Sequence, residues 1–182
     1  MIGIRVDDDV FLRLHEERHA EEVFRLSDAN REHLRPWMPW IDATKSADDT
    51  RAYLQTVQQN FTQGSEYGFA ILEHGRVVGS MGIRLVADAS EGEIGYWISE
   101  NAQGRGIVTR ATAALVRFAF DDLELNRVVI LCAVENQRSR AVPERLGFSV
   151  EGTYRQRDVN PNREPMDQVV YALLRSEWAD QG

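Results

Sequence analysis

The sequence predicts one α/β domain of the α+β kind, a mixed but mostly antiparallel seven-stranded sheet flanked by four helices in the order β-α-α-β-β-β-α-β-α-β-β. Three observations carry that expectation. The 182 residues, 43% apolar and 27% charged, make one large domain over 1–182, able to remove roughly 70% of its unfolded surface from water. Three alternating runs between residues 67 and 99 are separated by turn-length gaps, the pattern of an antiparallel meander. Beyond residue 109, helical and strand periods take turns to the end of the chain.

Residues 2–6 and 10–14 alternate apolar and polar around Asp7-Asp8-Asp9, as one bent strand or a short hairpin. From Glu17 the period changes: Ala20, Val23, Phe24 and Ser27 form a helical stripe that ends before Pro36. The stretch 34–41, Leu-Arg-Pro-Trp-Met-Pro-Trp-Ile, is too Pro-broken for a helix and too apolar for an ordinary loop, so it caps the core or lines a pocket. Ser46-Ala-Asp-Asp49 reads as a capping box, with Leu54, Val57 and Phe61 at helical spacing behind it and Gly64 as the stop.

Strands follow at 67–73, 76–85 and 93–99, the first two joined at His74-Gly75. The helix over 109–124 is apolar around more than half its girdle, so it is expected to be buried. Residues 128–134 are an unbroken apolar run, as in a strand covered on both faces. A short helix at 139–146 stops at Gly147, and its Pro143 is tolerable if Ser139 stands near the N-cap. Strands at 148–158 and 167–174 close the chain.

A net charge of −8 has the wrong sign for holding a phosphate backbone, which argues against nucleic acid as a partner. No apolar run approaches the ~18 residues a membrane span needs, and the start MIGIRVDDDV lacks the parts of a signal peptide. A cytoplasmic protein without a membrane partner is expected. The lone Cys132 permits neither an intramolecular disulfide nor a cysteine zinc cluster. His15-Glu-Glu-Arg-His19 matches the H-E-x-x-H zinc pattern, but His15 follows directly on a strand, so the two imidazoles do not share a helical face; no metal is expected.

Two other segments carry chemistry. Gln103-Gly-Arg-Gly-Ile-Val-Thr109 lies between a strand and a long helix, where glycines and bare N–H groups make either an anion site or a plain tight turn. Glu135-Asn-Gln-Arg-Ser139 follows the interior strand, where polar groups either meet a ligand or merely cap a helix.

Glu93-Ile-Gly-Tyr-Trp-Ile-Ser99, Gln103 to Thr109, Leu125-Asn-Arg-Val128, Asn136-Gln-Arg-Ser139 and Glu144-Arg-Leu-Gly-Phe148, in this order, resemble the Gcn5-related (GNAT) N-acetyltransferases, and within them the RimJ/RimL branch that acetylates N-terminal amines of ribosomal proteins. The likeness is collinear over nearly the whole chain and includes Trp37-Met-Pro-Trp40.

The resemblance implies acetyl-CoA as co-substrate, its diphosphate held by main-chain amides from Gln103 through Gly104, Arg105, Gly106, Ile107, Val108 and Thr109. Val108 stands where the family usually has Gly or Ala. Tyr96, Trp97 and Ile98 would pair with the pantetheine arm, and Asn136 would bond to it. Relatives often protonate the leaving thiolate with a Tyr of the short helix; none lies between Asn136 and Phe148, so Ser139 is the expected donor.

A carboxylate must take the amine's proton. Asp158 is preferred because the branch carries an acid at the matching place, and Glu93 is the other choice. Trp37, Trp40 and Tyr154 would wall an acceptor channel, with core packing as the plainer reading of each. Arg105, Arg110 and Arg138 either meet the phosphates or are solvated. Cys132 reads as a buried structural thiol, which leaves direct attack in a ternary complex. A homodimer fits the branch, and a non-catalytic acyl-CoA sensor of the same fold is the alternative.

Overall fold

The computed structural model describes residues 3–86 and 90–179; Ile2, the expected start of the first strand, lies outside them. The strands are β1 (Gly3–Arg5), β2 (Val10–Leu14), β3 (Glu66–Glu73), β4 (Arg76–Leu85), β5 (Glu91–Ile98), β6 (Arg127–Ala133), β7 (Ser149–Val159) and β8 (Pro165–Leu174). They form one sheet in the order β1-β2-β3-β4-β5-β6-β8-β7. Only the β5–β6 pair is parallel. The helices are α1 (Ala20–Ala29), α2 (Arg31–Leu34), α3 (Ala47–Thr62), α4 (Ile107–Asp121), α5 (Gln137–Arg145) and α6 (Arg175–Ala179), with 3-10 turns at Glu17–His19 and Glu100–Ala102.

The described residues therefore hold eight strands where seven were expected, because the first segment is a hairpin. Asp7 Oδ1 accepts the N–H groups of Asp9 and Val10 at 2.9 and 2.8 Å, folding the acidic triplet into a tight turn. They hold six helices where four were expected: α2 is one turn beyond Asn30, whose φ of −113° and ψ of 18° leave the helical region, and α6 spans five residues. Neither is long enough to show a period. Helices α4 and α5 each begin two residues before their expected starts.

Helices α1 and α3 pack on one face of the sheet, against β4 and β3; α4 packs on the other, against β2, β4, β5 and β6. Between α4 and the sheet lie Ile107, Ala111 and Leu115, facing Leu12, Ile83 and Ile130, all at most 1% exposed. Full burial of each large aliphatic side chain stabilises the fold by about 1.5–3 kcal/mol. The N-cap half of the expected box forms at the head of α3, where Ser46 Oγ accepts Asp49 N–H at 3.2 Å, while Asp49 reaches back to the Lys45 N–H and the Ser46 hydroxyl, each at 2.9 Å.

The Pro-broken segment does both of the things expected of it. Leu34 and Ile41 are buried in the core, while Trp37, Met38, Pro39 and Trp40 turn toward a cleft. Arg31 holds the coil in shape by donating to the carbonyls of Ile41 and Thr44 while paired with Asp28 at 2.8 Å.

One irregularity positions the site. Pairing of β5 with β6 stops at Ile94↔Ile130, yet β5 stays paired with β4 to Ile98 and β6 with β8 to Ala133. The two strands part like a V, and residues 95–98 keep one main-chain edge free of a strand partner.

Candidate active site

A cleft of about 460 Å³ opens at the V. Strand alternation sorts its residues between the two faces of the sheet. Ile94, Tyr96 and Ile98 pack toward α4 and the main core, whereas Glu93 and Trp97 share the opposite face with α1 and α3. Ser139, Asn136 and Cys132 line the cleft from β6 and α5, and Asp158 lines it from β7.

The loop between β5 and α4 has the conformation its glycines suggest. Gly104 and Gly106 sit at φ of 74° and 68°, the left-handed region costly for residues with a Cβ. Gly106 is the N-cap of α4 and no side chain caps that helix. The N–H groups of Ile107, Val108 and Thr109 therefore lack intrahelical acceptors, with the helix dipole behind them, the arrangement that binds an anion. Val108 is half-buried in the first turn and leaves its N–H among those groups.

The arginines around this loop divide. Arg105 pairs with Glu73 at 2.8 Å and Arg110 with Asp7 at 2.7 Å, so both staple the loop to the strand ends beneath it. The main-chain N–H groups that Asp7 accepts, joined by the guanidinium of Arg110, hold its carboxyl below the usual carboxylate range. Arg138 instead donates to Gln103 Oε1, and Gln103 Nε2 lies 2.9 Å from His33 Nε2. Because a guanidinium only donates, the amide oxygen must face Arg138 and the amide N–H must face His33, whose Nε2 is then the acceptor.

Across the V, Asn136 Oδ1 accepts the Ser139 N–H at 3.1 Å and caps α5, which leaves its Nδ2 group available to a ligand. Ser139 Oγ stands 3.3 Å from Cys132 Sγ and 3.4 Å from Tyr96 Oη. Tyr96 in turn donates to the Ser139 carbonyl at 2.9 Å. Burial pushes the Tyr96 phenol and the Cys132 thiol up from their ordinary values, so both stay protonated at neutral pH. A protonated thiol is a poor nucleophile.

On the other face, Trp40 and Trp97 meet at 6.1 Å between ring centres, 52° apart. Asp158 accepts Val159 N–H at 2.8 Å and the Gln168 amide at 3.4 Å. The main chain of Glu93 pairs in the sheet, and its carboxylate lines the cleft without a side-chain hydrogen bond among the described residues. Two carboxylates and an aromatic wall thus share one cavity, a setting for deprotonating and seating an amine.

Not every expected site residue is there. Tyr154 does not line the cleft: it is 49% exposed with Arg157 over its ring at 5.5 Å. The side chains of Ile98 and Ile107 pack into the core, so only their main chains can meet a ligand. His15 follows directly on β2 and bonds through Nε2 to Ser80 Oγ at 2.8 Å, while His19 Nδ1 accepts Glu16 N–H at 3.2 Å; burial pushes His15 down to about 3. The two histidines face different partners, and among the described residues no group of three or more His, Cys, Asp or Glu could hold a metal. The side-chain role of Tyr96 was missed from sequence.

Residues 9–149 match the acetyltransferase (GNAT) domain family. YdaF of Bacillus subtilis, provisionally named a ribosomal N-acetyltransferase, is 36% identical over 98% of both chains. Two solved structures superpose over almost the whole chain. RimL, the ribosomal L7/L12 alpha-N-protein acetyltransferase in complex with coenzyme A, has a TM-score of 0.92 at 26% identity, over 97% of this chain and 99% of that one. MccE, a microcin C7 self-immunity acetyltransferase with acetyl-CoA and AMP bound, has a TM-score of 0.89 at 26% identity, over 94% and 96%.

Proposed function

The chain belongs to the GNAT acetyltransferase family and is an acetyl-CoA-dependent N-acetyltransferase; we propose that its acceptor is the N-terminal amine of a protein, a ribosomal protein in the first instance, reached by direct attack in a ternary complex. The V between β5 and β6 carries this reading, because it puts the bare-amide loop and the carboxylate cavity on opposite faces of one sheet with a shared opening. YdaF and RimL support a protein acceptor by what they are named for, and MccE shows that near relatives of this fold act beyond the ribosome.

Acetyl-CoA supplies the activated acetyl group. The amides of residues 104–109 grip its diphosphate, with Arg138 beside them, and the free edge of Tyr96 to Ile98 pairs with the pantetheine arm while Asn136 Nδ2 donates to it. Asp158 takes the proton from the incoming ammonium, directly or through a water, so that a neutral amine attacks; Glu93 is the second carboxylate of the cavity. The new N–C bond forms as the C–S bond breaks, and Ser139 donates a hydrogen bond to the departing sulfur. Trp37 and Trp40 wall the acceptor. Residues 1–182 act as one domain.

The enzyme works in the cytoplasm, where acetyl-CoA and new ribosomal proteins are made; among the described residues no helix is long and apolar enough to cross a membrane. It forms a homodimer through the edge strand β7, whose Val150, Tyr154 and Val159 are 60%, 49% and 42% exposed. Sedimentation at micromolar concentration tests this, with a monomer as the contradicting result. For the activity, release of free thiol is followed with a chromogenic disulfide across N-terminal peptides of ribosomal proteins and aminoglycosides. Thiol release that depends on peptide is the expected result; turnover only with aminoglycosides would move the acceptor assignment, and none with any amine would end it.

A further inference from the structure

The short helix α5 contains an interior proline. Asn136 is its cap and Gln137 its first residue, so Pro143 is the seventh residue, well past the first turn. In an α-helix the N–H of residue 143 would donate to the carbonyl of residue 139. Proline has no N–H, which leaves the Ser139 carbonyl without its helical donor. The described structure fills that place from another element: Tyr96 Oη, on β5, donates to it at 2.9 Å.

The same phenol receives the Ser139 hydroxyl at 3.4 Å. One side chain across the V therefore touches both the main chain and the side chain of the residue assigned to the leaving sulfur. The far end of α5 has its own anchors. Tyr171 donates to Glu144 at 2.7 Å, and Arg140 donates to Tyr171 Oη and to the Val134 carbonyl, each at 2.9 Å. The first turn lies between Tyr96 and the capping Asn136.

We propose that Tyr96 is a positioning residue for Ser139, and that Pro143 creates the opening it fills. The phenol ties the first turn of α5 to β5 and holds the Ser139 oxygen at the apex of the V, from which its single proton turns from Tyr96 Oη to the departing sulfur. This rests on the reading of Ser139 as the hydrogen-bond donor to the departing sulfur. Burial pushes the Tyr96 phenol up from its ordinary value, which keeps it protonated and a donor at neutral pH.

The test is a double-mutant cycle of Tyr96→Phe and Pro143→Ala, with Ser139→Ala alongside. It reads the melting temperature of the protein without ligand, kcat, and KM for acetyl-CoA. Tyr96→Phe keeps the ring and the main chain, so KM is expected to change less than about twofold while kcat falls about tenfold, the worth of one well-placed hydrogen bond. Pro143→Ala restores a donor for the Ser139 carbonyl. It should raise the melting temperature more, or lower it less, in the Tyr96→Phe background than in the wild type, because in the variant that carbonyl has lost its partner.

The positioning role predicts that kcat stays low in the double variant even as stability returns. Recovery of kcat together with stability would reduce Tyr96 to a structural contact and overturn the proposal, as would unchanged kcat in Tyr96→Phe with Ser139→Ala impaired. Unchanged kcat in Ser139→Ala would remove the donor reading itself, and the proposal with it.

Discussion

The two sides of the V are built from different materials. On the α4 side the site is main chain: two left-handed glycines, three uncapped N–H groups and a strand edge. On the α1 and α3 side it is side chains, Trp40, Trp97, Glu93 and Asp158, brought from three separate stretches of sequence. Main-chain recognition tolerates most substitutions that respect φ, and it suits a ligand that every member of a family shares. Side-chain recognition changes with single substitutions and suits acceptors that differ between relatives. Variants on the acceptor side should therefore change what is acetylated or how fast, and variants on the cofactor side should change coenzyme affinity whatever the acceptor.

The largest separation is expected at the carboxylates. Asp158→Asn should lower kcat/KM for a peptide acceptor about a hundredfold, in the range of a lost general base. Isothermal titration of CoA should give an unchanged affinity. If Glu93→Gln shows the larger loss instead, the base is Glu93 and the division between the two sides still stands.

Next comes Gly106→Val. A β-branched residue at φ of 68° is strained by about 1–3 kcal/mol, so CoA binding should weaken about tenfold or more with no change in the ranking of acceptors. A smaller effect is expected at Trp40→Ala, where loss of one aromatic wall should raise KM for the peptide about fivefold and leave CoA affinity as it was. Smallest is His33→Lys. It replaces the acceptor that Gln103 requires with a group that only donates, and should weaken CoA binding about threefold by loosening Arg138. His33→Gln, which keeps an acceptor, should bind as the wild type does.

The same division explains what could be read from the chain before its shape was known. The cofactor side is contiguous, Gln103 to Thr109 between a strand and a helix, so its glycines, its helix start and its place in the fold are all written in seven neighbouring letters. The buried strand β6 and the capping box at Ser46 are local in the same sense. The acceptor side depends on which faces of distant strands meet, and periodicity alone does not say whether Tyr154 or Trp97 turns inward; the structure turns Trp97 in and leaves Tyr154 out.

The contact of Tyr96 with Ser139 spans 43 residues. Its one visible trace was Pro143, which strips a donor from the carbonyl four residues earlier and implies a substitute. Periodicity left a bent strand and a hairpin equally open at Asp7 to Asp9, because a side-chain hydrogen bond decides between them, and the short α2 and α6 were missed because single turns leave no period to detect.

The most direct test of the central claim is calorimetric titration of acetyl-CoA into the wild-type protein and into Gly106→Val. One molecule taken up per chain, with affinity clearly reduced in the variant, is what bare amides at the head of α4 require. No uptake by the wild type at millimolar acetyl-CoA, or equal affinity in both proteins, would contradict it.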